Sequence, residues 1–200
     1  MKKLLVLALS LVAFAAPARA QYNRPDAGWL VFSAGSIKRP MNFTFFYRKI
    51  GEESGLLGNT GGTIENTQSG LFAGDPDYTG REKGRVTVRR MEPGNYEIYR
   101  FSFLGTLTVD GAPWPATREF SLPFTITPGR ATYIGDFARA PSLGTPLAKR
   151  LGASGFFVIS DKHDRDIAIA RKHEPALPPV TVSVPDVSAL GPELQSQEPQ

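Results

Sequence analysis

The stretch 119–126, EFSLPFTI, alternates without a break: Phe120, Leu122, Phe124 and Ile126 fall on one side and Glu119, Ser121, Pro123 and Thr125 on the other. A period of two belongs to a strand with one buried face, because successive side chains of an extended chain point to opposite sides. Pro123 lies on the outward side and has no N–H to give a ladder, so this strand is expected at a sheet edge or beside a bulge. Similar runs, rich in Phe, Val, Ile, Tyr and Thr, occur at 29–33, 42–48, 85–89, 96–103, 131–137 and 156–160. Short alternating runs punctuated by Gly and Pro predict an all-β chain folded as an antiparallel β-sandwich.

Two turns share a form, Glu92-Pro93-Gly94-Asn95-Tyr96 and Thr127-Pro128-Gly129-Arg130 followed by Tyr133. Proline presets the second residue of a turn and glycine accepts a positive φ at the third, so each Pro-Gly is expected to reverse the chain. The second would make a hairpin in which 120–127 runs into the turn and 130–137 returns beside it. Simple alternation then puts Tyr133, Gly135 and Phe137 on one face and Thr132, Ile134 and Asp136 on the other. Gly135 leaves a gap in an aromatic face and marks either a neighbouring ring or a bulge. Asp136 has no His, Cys or second carboxylate close in sequence, and is read as structural, facing out or pairing with an arginine of a neighbouring strand.

The first twenty residues, MKKLLVLALSLVAFAAPARA, carry two lysines, an apolar stretch and a small-residue Ala18-Arg19-Ala20 end. This is the pattern of an export signal cleaved after Ala20, too short to span a bilayer. The protein is therefore expected to be exported, periplasmic or secreted, with no integral membrane segment in the mature chain. Loss of Lys2, Lys3 and Arg19 lowers the 23 Lys and Arg to 20 against 19 Asp and Glu, so the +4 charge of the full chain largely disappears. The electrostatic footprint of a nucleic-acid binder is then missing. With no cysteine the chain has no disulfide framework and depends on its hydrophobic core.

Catalytic patterns are sparse. His163 and His173 lie in SDKHDRDIAIARKHEP, where Ser160 or Asp161 is expected to cap a helix near 161–173 that Pro175 stops. Ten residues separate them, almost three turns, too far to share one ion. His163 with Asp161, Asp164 or Asp166 is a metal-site candidate; the plainer reading is an acidic first turn that complements the helix dipole. Gly152-Ala153-Ser154-Gly155 lacks the spacing of a nucleophile elbow. The chain has neither an HExxH nor a phosphate-loop pattern, so no cofactor and no catalytic residue is assigned.

Residues 51–84 form the longest irregular stretch, glycine-rich but without a period or a phosphate-loop ending. Asp75-Pro76-Asp77 lacks the remaining ligands of a calcium loop. Leu56, Leu57, Leu71, Phe72 and Tyr78 within it either fold back on the sandwich or await a partner. Trp114, between Pro113 and Pro115, is a second candidate contact, since tryptophan commonly anchors interfaces. Beyond Pro175 the composition turns proline-rich and polar; 180–184 is a candidate strand, and the rest of 175–200 is expected to be largely disordered.

The run RVTVRRMEPGNYEIY, residues 85–99, resembles the penultimate-hairpin pattern of transthyretin-like and carboxypeptidase-regulatory-like domains. The part from Phe120 through TPGRATYIGDF to SDKHDRDIAIARKHEP is similar to uncharacterised exported proteins and lipoproteins of Gram-negative bacteria, though this chain lacks their lipid-bearing cysteine. The resemblance implies a prealbumin or immunoglobulin-like β-sandwich with a short C-terminal helix, and no catalytic residues. The expected organisation is a signal at 1–20, a linker at 21–27, a sandwich domain at 28–174 and the tail. The expected function is non-catalytic: an exported binding or structural protein of the cell envelope, contacting an envelope protein or cell-wall component. Two alternatives stand beside it: a carbohydrate or peptidoglycan binder stacking sugars on Tyr78, Trp114 and Tyr133, and a metal-dependent enzyme built on His163 and Asp136.

Overall fold

The computed structural model describes residues 22–37, 42–51, 61–68, 74–104, 114–115, 120–140, 156–187 and 194–196. Its strands are β1 (Gly28–Ile37), β2 (Asn42–Lys49), β3 (Gly62–Asn66), β4 (Glu82–Met91), β5 (Gly94–Leu104), β6 (Trp114–Pro115), β7 (Leu122–Ile126), β8 (Ala131–Ala140), β9 (Phe156–Ser160), β10 (Val180–Val182) and β11 (Leu194–Ser196), and the described residues hold one helix, α1 (His163–His173). They form two sheets. The first runs β11-β9-β8-β1-β4, with β10 also on β8; the second runs β3-β2-β5-β6, with β7 also on β5. Every run of alternating residues noted in the sequence lies within or across one of these strands. β3 falls inside the stretch 51–84, which is therefore not irregular throughout: Gly62–Asn66 pairs antiparallel with β2.

The sheets face each other across an aromatic core. Phe45 meets Phe32, Phe43 and Phe137 edge-to-face at 5.8, 5.5 and 5.2 Å, and Phe157 at 4.9 Å. Such offset and edge contacts match the positive rim of one ring to the negative face of the next. Leu122, Phe124 and Ile126 enter the same core while Pro123 stays exposed, and among the described residues β7 pairs only with β5. Pro123 thus sits on an edge strand, where a missing donor costs nothing.

The Pro-Gly turns do not make hairpins. Pro93-Gly94 carries the chain from β4 in the first sheet to β5 in the second, and Pro128-Gly129 carries it from β7 in the second to β8 in the first. Both are corners between layers. At the first, the Tyr96 hydroxyl donates back to the Glu92 carbonyl at 2.8 Å and ties the corner from inside. β8 runs instead parallel to β1, and its other edge is shared: β10 takes 131–133 in parallel and β9 takes 136–140 antiparallel.

On the outer side of the first sheet lies α1. Ala170, with Ile169 beside it, packs on Val31, Val86, Ala131 and Tyr133, and Leu177, Val180 and Val184 extend that layer. Within the tail expected to be largely disordered, the candidate strand at 180–184 forms as β10 over Val180–Val182, and the segment around it, Pro175 to Val187, also follows the sheet, with Val187 buried in the main core. The reason is composition: Leu177, Val180, Val184 and Val187 supply the apolar area that the prolines alone would not.

Candidate functional site, a buried polar cluster under the helix

Alternation fails at one point of β8, and the failure builds the site. In the parallel pairing Val31 faces Tyr133, but Ser33 faces Asp136. Two steps on β1 therefore correspond to three on β8. Gly135 takes up the extra residue with φ of +113°, a conformation that side-chain-bearing residues rarely adopt. Tyr133 and Asp136 consequently share the helix side, whereas Ile134 and Phe137 enter the main core. The face assignment expected from simple alternation is thus corrected: Tyr133 and Phe137 lie on opposite sides, and Asp136 is neither outward nor paired with a strand arginine.

Asp136 is 1 % exposed and Asp166, from the first turns of α1, is 0 %. Ser33 stands between them, its Oγ 2.5 Å from Asp136 Oδ1 and 2.6 Å from Asp166 Oδ2. Arg165 closes the group: Nε donates to Asp166 Oδ1 at 2.7 Å, and Nη2 donates to Asp136 Oδ1 at 3.0 Å and to Ser33 Oγ at 3.1 Å. Tyr133 gives its hydroxyl proton to Asp166 Oδ2 at 2.7 Å and accepts from the Lys162 N–H at 3.2 Å. Ser160, opposite Asp136 on β9, lies 3.5 Å from Asp136 Oδ2.

Tyr78 covers the outer flank. Its ring carries the Arg165 guanidinium 3.7 Å above the centroid, and its hydroxyl lies 3.0 Å from Glu82 Oε1 and 3.2 Å from Asp136 Oδ1. This reach depends on a cross-strand glycine pair, Gly35 on β1 opposite Gly84 on β4. A Cβ at Gly84 would lie 2.2 Å from the Tyr78 hydroxyl, and one at Gly35 would lie 2.2 Å from Glu82 Oε1. Side chains at those two positions would occupy the space of the phenol and the carboxyl.

Burial sets the electrostatics. It pushes the Glu82 carboxyl up to about 7, with the Asp136 charge adding to the shift. It also raises Asp166, against the opposing hydrogen bonds from Arg165, Ser33 and Tyr133. Both phenols are raised well above their ordinary range by burial and by the facing carboxylates. Arg165 is pulled down by burial, but its bond to Asp166 and the charges of Asp136 and Asp166 outweigh that and hold it cationic.

The Arg165 guanidinium therefore stands between the carboxylates of Asp136 and Asp166. Among the described residues no group of three or more His, Cys, Asp or Glu is placed to hold a metal ion. His163 faces Asp161 at 2.8 Å and Asp164 at 3.2 Å on the exposed end of α1, and the Asp161-bonded imidazole is raised by that hydrogen bond and charge. Asp161 also accepts from the His163 N–H at 2.9 Å, but the residue at the N-cap is Lys162, with no side-chain cap bond, so neither Ser160 nor Asp161 caps the helix as expected; the acidic first turn is present in Asp164 and Asp166, the second of them buried. Asp77 is engaged as well, accepting from the Val86 N–H at 2.8 Å and meeting His173 Nε2 at 3.0 Å.

Of the residues read as partner-binding, Tyr78 belongs to this cluster, and Trp114 is placed by register alone, opposite Phe103 on β5. Leu56, Leu57, Leu71 and Phe72 lie outside the described residues. Tyr133 is fully buried, which removes it as a sugar-stacking platform, and Arg165 covers one face of the half-buried Tyr78. Sequence reading missed Ser33, Glu82 and Arg165, and weighed Asp166 only as a metal ligand beside His163 or part of an acidic first turn. A signal for Asp166 did exist: it shares the buried stripe of α1 with Ala170, four residues on, where a carboxylate demands a partner. Comparison of the chain with protein-family models, curated proteins and solved structures gives no match.

Proposed function

We propose that this chain is a non-catalytic exported β-sandwich protein of a bacterial cell envelope that binds an envelope protein or a cell-wall component. One observation supports the non-catalytic reading: the densest chemistry in the described residues spends its donors on itself. Arg165 Nε and Nη2, the Tyr133 hydroxyl and the Ser33 hydroxyl all turn inward, onto Asp136, Asp166 and each other. Catalytic groups need a position at which a reacting atom can sit beside them. Here that place holds the helix to the sheet.

The export reading rests on residues 1–20, and the transthyretin-like reading on 85–99. The pairing supports the coarser reading, a β-sandwich of two sheets, β9-β8-β1-β4 and β3-β2-β5-β7, with β1 and β8 parallel. Trp114, at the short strand β6 on the margin of the second sheet, remains the proposed anchor for a partner.

The test is in-cell crosslinking of the full chain and of a Trp114→Ala variant whose urea midpoint matches the parent. Loss of a specific crosslinked species in the variant supports the reading. An unchanged pattern removes Trp114 from it, and turnover of a substrate by the purified protein overturns it. A truncation made to test the tail should end after Val187, because cutting at Glu174 would remove a core side chain and β10.

A further inference from the structure

Proton counting shows what the cluster holds. Ser33 owns one hydroxyl proton, yet its Oγ lies at hydrogen-bond distance from carboxyl oxygens of both Asp136 and Asp166. Its two lone pairs can accept, and one already takes Arg165 Nη2. The set closes only if one aspartate carries a proton and donates it to Ser33, which then donates to the other. Both aspartates also take Arg165, Asp136 on Oδ1 and Asp166 on Oδ1, and Asp166 Oδ2 takes the Tyr133 hydroxyl as well, so donor counting alone does not choose between them; burial, which raises the Asp166 carboxyl against those bonds, puts the proton on Asp166.

The same count applies on the other flank. Tyr78 also owns one hydroxyl proton and lies between Glu82 Oε1 and Asp136 Oδ1. If it donates to Asp136, Glu82 must be the protonated partner that donates to it. Charge balance gives an independent answer to the same question. Three carboxyls, Glu82, Asp136 and Asp166, face a single guanidinium, so neutrality also requires two protons. Burying the fully ionised set would leave two uncompensated negative charges under the helix, which a low-dielectric site does not tolerate.

We propose that this cluster is a two-proton latch: Asp166 and Glu82 stay protonated in the folded protein, pass their protons to Ser33 and Tyr78, and release α1 and the Tyr78 segment when those protons are lost. The groups that face the two acids are Ser33 on β1, Tyr78 ahead of β4, Tyr133 and Asp136 on β8 and Arg165 on α1, with Ser160 on β9 reaching Asp136 alone. The sign follows from linkage. Both acids bind protons more tightly folded than unfolded, so their stabilisation is complete below the ordinary carboxyl range and fades as pH rises through the folded values. For Glu82 that window runs from 4.5 to about 7.

Urea unfolding of the full chain from pH 4.5 to pH 8.5 tests this, with Asp166→Asn, Glu82→Gln and Asp136→Asn compared with the parent. The two amides that mimic protonated acids keep a donor toward Ser33 or Tyr78. Their stability relative to the parent should improve with pH, by roughly tenfold or more in the unfolding equilibrium constant across the window. Asp136→Asn should be destabilised throughout, since it leaves Arg165 without its ionised partner. A parent-to-variant difference that does not change with pH for either amide overturns the latch. If the variants fail to fold, infrared spectra of the parent at pH 6 decide: a protonated-carboxyl carbonyl stretch that is lost on raising the pH supports it, and its absence overturns it.

Discussion

Replacing Gly135 by alanine is the sharpest probe of how the site is built. The parent backbone holds φ at +113° there, which a β-carbon disfavours by about 1–3 kcal/mol. Space adds to that cost. The new Cβ would lie 3.2 Å from Ile159 Cγ2, 3.3 Å from Val184 Cγ1 and 3.4 Å from the Ser160 carbonyl oxygen, each tight enough that β9 or the segment after β10 must give way. Loss of unfolded-state entropy returns about 0.4–1 kcal/mol, so the net expectation is a loss of about 2–3 kcal/mol. Gly129→Ala is the control: its φ is +65° with nothing within 4 Å, so it should cost only about 1–2 kcal/mol. Equilibrium urea unfolding, with equal m-values, reads both. If Gly135→Ala unfolds within about 0.5 kcal/mol of the parent, the bulge does not require a glycine and the derivation of the site from it is refuted.

Two further substitutions test the sandwich itself. Tyr96→Phe keeps the ring in the core but deletes the bond to the Glu92 carbonyl at the layer-crossing corner, and should cost about 1 kcal/mol in urea unfolding. Phe45→Ala removes the ring that meets four other phenylalanines and should cost about 3–5 kcal/mol, read as a fall in melting temperature and urea midpoint.

The strands were legible because their signal is local. Phe120 to Ile126 alternate whatever they pair with, and Pro123 announces an edge from its missing N–H alone. Partner choice was not legible in the same way. A Pro-Gly turn between two strands has one form whether it closes a hairpin or carries the chain between layers, and Pro128-Gly129 does the second. β3 escaped notice because Gly62–Asn66 is short and sits among glycines, and its stability comes from lying beside β2.

The cluster was hidden for another reason. Ser33, Tyr78, Asp136 and Asp166 are scattered along the chain, and Ser33 and Asp136 meet only through a parallel pairing whose register shifts at Gly135. Period-two reasoning put Asp136 on the face of Ile134, and one extra residue reverses that. Gly135 was recognised as a gap or a bulge, but the consequence of a bulge for every later side chain on β8 follows only once its register with β1 is known.

The most direct test of the central claim, that the buried ion group clamps α1 to the sheet, is a double-mutant cycle on Asp136 and Arg165. Asp136→Asn, Arg165→Met and the double variant would be unfolded in urea at pH 6. The two side chains meet at 3.0 Å with Asp136 buried, so Arg165→Met alone should cost about 3 kcal/mol by leaving the Asp136 carboxylate unpaired. The double variant should then lose at least about 1 kcal/mol less than the sum of the singles. Additivity to within about 0.5 kcal/mol would contradict the clamp and make the cluster a bystander in the fold.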